Sequence, residues 1–215
     1  MYPTKLLAGL LMAAPFFIAT NATAAENLAP CTHLGDEYYS LIEARIRRAA
    51  LGDTLWQATV YPPSTQPEWG IRAIRMADDY ELMVVRFDRS LWSTGWAKTG
   101  RNEFKRDLSN SPAQPRVTQY KISARLFTEL ESAIRRSIKA ARIPAETNLA
   151  DVLNLHGVLF RFEVAGSGCG ETRPLDWGET EAGKLAAIVL ALCNPPDENR
   201  IFHMLDELQD ANPSR

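Results

Sequence analysis

The chain has 215 residues, with 24 lysines and arginines against 26 aspartates and glutamates, for a formal net charge of -2. That near balance excludes the basic surface that draws proteins to nucleic acid or anionic lipid. At this length one domain with a real core is expected rather than two.

Lys5, the apolar run from Leu6 to Ile18 and the small residues Ala22-Thr23-Ala24-Ala25 have the order of a secretory signal peptide. The run, of about a dozen residues, is too short to cross a bilayer as a helix. Cleavage after Ala24 or Ala25 is expected, so that residues 1–25 are a signal peptide and residues 26–215 a single secreted, most simply periplasmic, domain. Pro30 ahead of Cys31 stands where a lipoprotein signal needs a small residue. The longest later apolar run, Leu185 to Cys193, is nine residues and helical in period, so no membrane span is expected after the signal.

Along the mature chain, Tyr38, Leu41, Ile42, Ile46 and Ala49 recur at helical spacing between Asp36, a plausible N-cap, and Leu51. Trp56 to Tyr61 alternates as a strand and stops at Pro62-Pro63. Gly70 to Met76 and Tyr80 to Phe87 flank Ala77-Asp78-Asp79 and predict a hairpin, with Ile71, Met83, Val85 and Phe87 on its buried face. Arg116 to Ala124 predicts a strand, and a helix capped by Ser123 follows through Leu126, Phe127, Leu130, Ile134 and Ile138 to Pro144. Val152 to Leu155 and Val158 to Val164 predict two strands about His156-Gly157, the second with Phe160, Phe162 and Val164 on one face and Leu159, Arg161 and Glu163 on the other. Gly166 to Gly178 predicts a polar, glycine-rich loop, then Thr180 and Asp197 open the last two helices. Strands and helices do not alternate regularly, so the expected class is α+β, with helices packed on a mainly antiparallel sheet.

Three cysteines in an oxidising compartment predict one disulfide and one free thiol. Cys193 falls on the apolar helix face with Leu185 and Val189, whereas Cys31 and Cys169 sit in polar, turn-like segments, so the pairing expected is Cys31–Cys169.

The histidines His33, His156 and His203 have no paired helical spacing, and no metal or cofactor is expected. The segment Gly166-Ser167-Gly168-Cys169-Gly170-Glu171-Thr172-Arg173 offers backbone N–H groups but lacks phosphate-loop spacing. The other candidate surface holds Trp92, Trp96, Lys98, Arg101, Lys105 and Arg106, in a stretch without clear periodicity. Aromatic and arginine side chains anchor protein interfaces, and tryptophans also suit sugar rings. The two tryptophans, at even offset, would equally point into the core from a single strand. The reading that follows is a non-catalytic binding or inhibitor-like protein. It would contact another secreted protein with acidic groups, such as a cell-wall enzyme or toxin, through this surface together with Glu171 and Arg173; a glycan is the lesser option. The alternative is a small secreted hydrolase using Cys169 with His156, or a carboxylate pair.

Overall fold

The computed structural model describes residues 27–31, 37–63, 65–77, 79–98, 104–142, 157–174 and 179–210. The signal segment, His33, Asp36, Asp78, Arg101, Pro144, His156 and the strand expected over Val152 to Leu155 lie outside them. The strands are β1 (Ala29–Pro30), β2 (Thr54–Tyr61), β3 (Trp69–Met76), β4 (Asp79–Phe87), β5 (Trp96–Lys98), β6 (Phe104–Arg106), β7 (Pro115–Ile122), β8 (Leu159–Val164) and β9 (Gly168–Thr172). The helices are α1 (Glu37–Ala49), α2 (Leu91–Thr94), α3 (Ala124–Ala140), α4 (Glu181–Ala191) and α5 (Glu198–Asp210). Seven strands form one sheet in the order β1-β9-β8-β2-β3-β4-β7, every neighbouring pair antiparallel, and β5 and β6 form a separate two-stranded ribbon. The fold is α+β. No helix among the described residues is long and apolar enough to cross a membrane.

Alternation along each strand sends successive side chains to opposite faces, and here both faces are covered. On the first face Trp56, Ala58, Val60, Ile71, Ala73, Leu82, Val84, Phe160 and Phe162 meet the apolar stripes of α3, α4 and α5. On the second, Tyr61, Ile74, Met83, Val85 and Phe87 meet Tyr38, Ile42 and Ile46 of α1, Leu91 of α2 and Leu108 of a short 3-10 turn. Ile42 and Ile46 are fully buried, each contributing about 1.5 to 3 kcal/mol of apolar transfer free energy. Gly70 lets α1 sit this close: a Cβ there would stand 2.8 Å from Ile46 Cδ1 and 3.0 Å from the Ala58 carbonyl oxygen.

The helix starts are closed by the residues whose spacing announces them. Ser123 Oγ accepts from the Leu126 N–H at 3.1 Å, Thr180 Oγ1 from Gly183 at 2.9 Å, and Asp197 Oδ1 from Arg200 at 3.3 Å. The C-terminal end of α1 is closed from the sheet instead. Arg72 of β3 donates to the Arg47 carbonyl at 3.0 Å and also to that of Ala50, placing a cation against the negative end of the helix.

Three expectations change. Ile71 pairs with Val84, not with the Met83 and Val85 parity, so it faces α3 while those residues face α1; the hairpin has two buried faces rather than one. The glycine-rich segment expected as loop is a strand over Gly168–Thr172. Gly166 and Gly168, at φ 72° and 85°, make the tight turn from β8, and the Ser167 N–H donates to the Val164 carbonyl at 3.0 Å. Gly170 then admits Leu28, whose Cδ1 would lie 3.0 Å from a Cβ there. Trp92 and Trp96, considered together on one strand, fall on α2 and β5. Cys31 and Cys169 are joined in a disulfide, Cα to Cα 5.8 Å, at a sequence separation of 138. Cys193 is a buried free cysteine in the turn after α4. Burial pushes its thiol up to about 11.

Candidate functional site

Two polar assemblies stand out along α1, meeting at Tyr61. The first roots the β5–β6 ribbon. Glu68, 1% exposed just before β3, accepts hydrogen bonds from Tyr38 Oη at 2.7 Å, Ser90 Oγ at 3.2 Å, the Leu91 N–H at 2.8 Å and the Trp92 N–H at 3.1 Å. A buried carboxylate is tolerable only with such donors, and two of these are the N–H groups that open α2. The Trp92 ring stands edge-on to Tyr38 at 5.0 Å, and Tyr38 and Tyr39 continue the aromatic contact to Tyr61. Beyond α2 the Asp107 N–H closes on the Gly95 carbonyl at 2.6 Å. Arg45 of α1 donates to the carbonyls of Leu108, Ser111 and Ala113, fixing the return path to β7. Glu68→Ala is expected to cost about 2 to 3 kcal/mol and to shift the Leu91 and Trp92 amide resonances, because it strands their buried donors. Urea unfolding together with amide spectra measures both.

The ribbon register pairs Trp96 with Arg106, Ala97 with Lys105 and Lys98 with Phe104. Trp96, Lys98, Phe104 and Arg106 therefore occupy the positions of one face, and Lys105 a position of the other.

The second assembly lies on the α1 side of the β9, β8 and β2 sector. Arg161, 4% exposed, donates to Glu43 Oε1 at 2.9 Å, and its Nη2 reaches Cys169 Sγ at 3.7 Å. Tyr61 Oη donates to the same Glu43 oxygen at 3.0 Å. Arg161 Nε also stands 3.6 Å from Glu163 Oε1. Burial, reinforced by the charge of Glu163, raises the Glu43 carboxyl above its ordinary value despite Arg161. Burial next to Glu43 likewise raises the Tyr61 phenol. Beside this cluster a pocket of about 730 Å³ opens where α1 ends and the β8–β9 turn begins, with the Cys31–Cys169 disulfide in its wall.

The structure does not unite the residues expected to form one binding surface. Trp92 is half-buried at the ribbon root, while Trp96, Lys98, Lys105 and Arg106 lie on the ribbon. Glu171 is 6% exposed on β9, opposite Arg161, and Arg173 is half-buried just beyond that strand. Cys169, the nucleophile of the alternative reading, is held in the disulfide and has no free thiol. His203 is exposed on α5, 3.3 Å from Glu207. Among the described residues no group of three or more histidines, cysteines and carboxylates is placed to hold a metal ion. Sequence reasoning missed Glu43, Glu68 and Arg72. A charged residue amid apolar periodicity, as Arg72 is between Ile71 and Ala73, was the available signal. Comparisons with protein-family models, with curated proteins and with solved structures find no match to this chain.

Proposed function

We propose that the protein is a secreted, periplasmic, non-catalytic binding protein that engages another secreted protein through the β5–β6 ribbon. The observation that carries this reading is the ribbon itself, a two-stranded excursion between β4 and β7 that stands outside the main sheet yet is rooted in the buried Glu68 network. Its register collects Trp96, Lys98, Phe104 and Arg106 on one face. That is the mixed aromatic and basic composition of an interface anchor, suited to a partner presenting acidic groups. The Cys31–Cys169 disulfide and the signal-like segment Lys5 to Ala25 support secretion.

The test uses secreted protein with its N-terminus at Ala25 or Glu26, as bait in periplasmic extract, beside a Lys98→Glu, Lys105→Glu, Arg106→Glu variant. A single stoichiometric partner retained by the natural chain and lost by the variant, with unchanged circular dichroism, is the expected result. A partner held equally by both chains removes the ribbon from the interface. No partner for either chain overturns the protein-binding reading and turns the search to glycans.

A further inference from the structure

β7 ends the seven-stranded sheet, paired with β4 on one side and, among the described residues, with no strand on the other. Arg116, Val117, Thr118, Gln119 and Lys121 are exposed, and by alternation they lie on both faces of the sheet. The register fixes which backbone groups point outward. The Asp88 N–H donates to the Gln114 carbonyl at 3.0 Å, while the Phe87 N–H turns the other way, to the Glu68 carbonyl at 3.1 Å. Bonded and non-bonded pairs alternate along an antiparallel ladder, so Arg86–Arg116, Val84–Thr118, Leu82–Tyr120 and Tyr80–Ile122 are the bonded pairs. The N–H and C=O groups of Val117, Gln119 and Lys121 therefore point to the open edge. Both ends of that stretch are closed. Pro115 has no N–H, and the Ser123 N–H already donates to Glu198 Oε1 at 2.7 Å. Pro115 and Ser123 lie equally far from Gln119 along the chain, one before and one after, so the open edge is symmetric about Gln119.

From this geometry we infer that β7 is a dimerisation edge, and that its partner is β7 of a second copy of this chain, antiparallel about a two-fold axis at Gln119. In that register Gln119 meets Gln119 of the second copy and Val117 meets Lys121, each pair exchanging both backbone bonds, and the two sheets become one. The charges fit a second copy. Lys121, the kind of residue that guards an edge, is countered by Asp79 at 2.6 Å and falls opposite Val117 rather than a like charge. Val117, 43% exposed, gains cover from the lysine stem. Arg116 makes no ion pair among the described residues; Asp88, whose charge it feels, already faces Arg89 at 3.6 Å. Across the axis Arg116 falls opposite Ile122, next to Ser123 and so beside the Glu198 carboxylate that the Ser123 N–H holds at the edge. A two-fold axis perpendicular to the sheet keeps each face common to both copies, so this pair of opposite charges forms twice. The pairing uses no residue of the ribbon, and either reading can fail alone.

The experiment is sedimentation equilibrium of the intact mature protein from about 1 to about 300 μM, with amide hydrogen exchange at both ends of that range. The expected result is a monomer–dimer equilibrium with a dissociation constant at or below about 100 μM, and slower exchange of the Val117, Gln119 and Lys121 amides in the dimer. Gln119→Pro removes an outward N–H that β4 does not use, and is expected to weaken dimerisation about tenfold or more with unchanged circular dichroism. Arg116→Glu is expected to weaken it about tenfold, and Arg116→Glu together with Glu198→Lys to restore it. A monomer at every concentration overturns the proposal, even if the edge is found to take an extended segment of another protein. A dimer that Gln119→Pro and Arg116→Glu leave intact uses another surface and overturns it equally. A dimer weakened by both single variants but not restored by the charge reversal overturns the register about Gln119.

Discussion

Replacing Cys31 and Cys169 together by serine is expected to lower the unfolding free energy by about 5 kcal/mol, measured by urea titration. The bridge spans 138 residues, and in the chain-entropy account a loop of that length restricts the unfolded chain far more than the folded one. Local structure makes the dependence stronger. β1 is two residues long and, among the described residues, pairs with β9 alone, through Ala29 with Glu171 and Pro30 with Gly170. Leu28, 1% exposed just before β1, enters the first-face core and packs over Gly170. Without the bridge this edge is held by those contacts and by the Arg142 N–H donating to the Leu28 carbonyl at 3.0 Å. In the natural chain, unfolding without reductant is expected to expose one reactive thiol, that of Cys193, and the native protein to expose none. A double variant within about 1 kcal/mol of the natural chain would show that the bridge does not constrain the unfolded ensemble.

Arg161→Met is expected to cost about 3 to 5 kcal/mol at neutral pH, because it leaves buried carboxylates facing one another without their cation. Glu43 is 6% exposed, and Arg161 is the group that bonds it at 2.9 Å. The sign of the pH dependence follows from the raised Glu43 carboxyl. Between the ordinary carboxylate value and that raised one, the folded chain holds a proton the unfolded chain has released, so stability falls as pH rises through this window. Removing Arg161 takes away a charge that lowers the Glu43 value, which widens the window upward. The destabilisation is therefore largest at neutral and alkaline pH and shrinks on acidification, as Glu43 is protonated in both proteins. Adding Glu43→Gln to Arg161→Met is expected to recover a substantial part of the loss, since the variant then buries an amide in place of a lone charge. Unfolding midpoints across pH for the two single variants and the double variant measure this. A loss independent of pH would mean that Arg161 acts by packing alone.

The features legible in the sequence are those set by near neighbours along the chain. Alternation over Trp56 to Tyr61 and Val158 to Val164 marks strands, and Ser123, Thr180 and Asp197 mark helix starts, because a period or a cap needs only a few consecutive residues. The Cys31–Cys169 pairing was also within reach, since the helical period of the Leu185 to Cys193 run set Cys193 apart. What remained hidden depends on partners distant in sequence. Gly168–Thr172 has no strand pattern of its own and becomes a strand through the backbone bonds of β8 and β1. Alternation puts Arg161 and Glu163 on the strand face opposite Phe160 and Phe162, which is correct as parity, but it says nothing of the α1 helix that buries Arg161 there. Local periodicity determined which residues share a face. Only the tertiary structure decided what covers it, because burial, ion pairing and the pocket arise where separate elements meet.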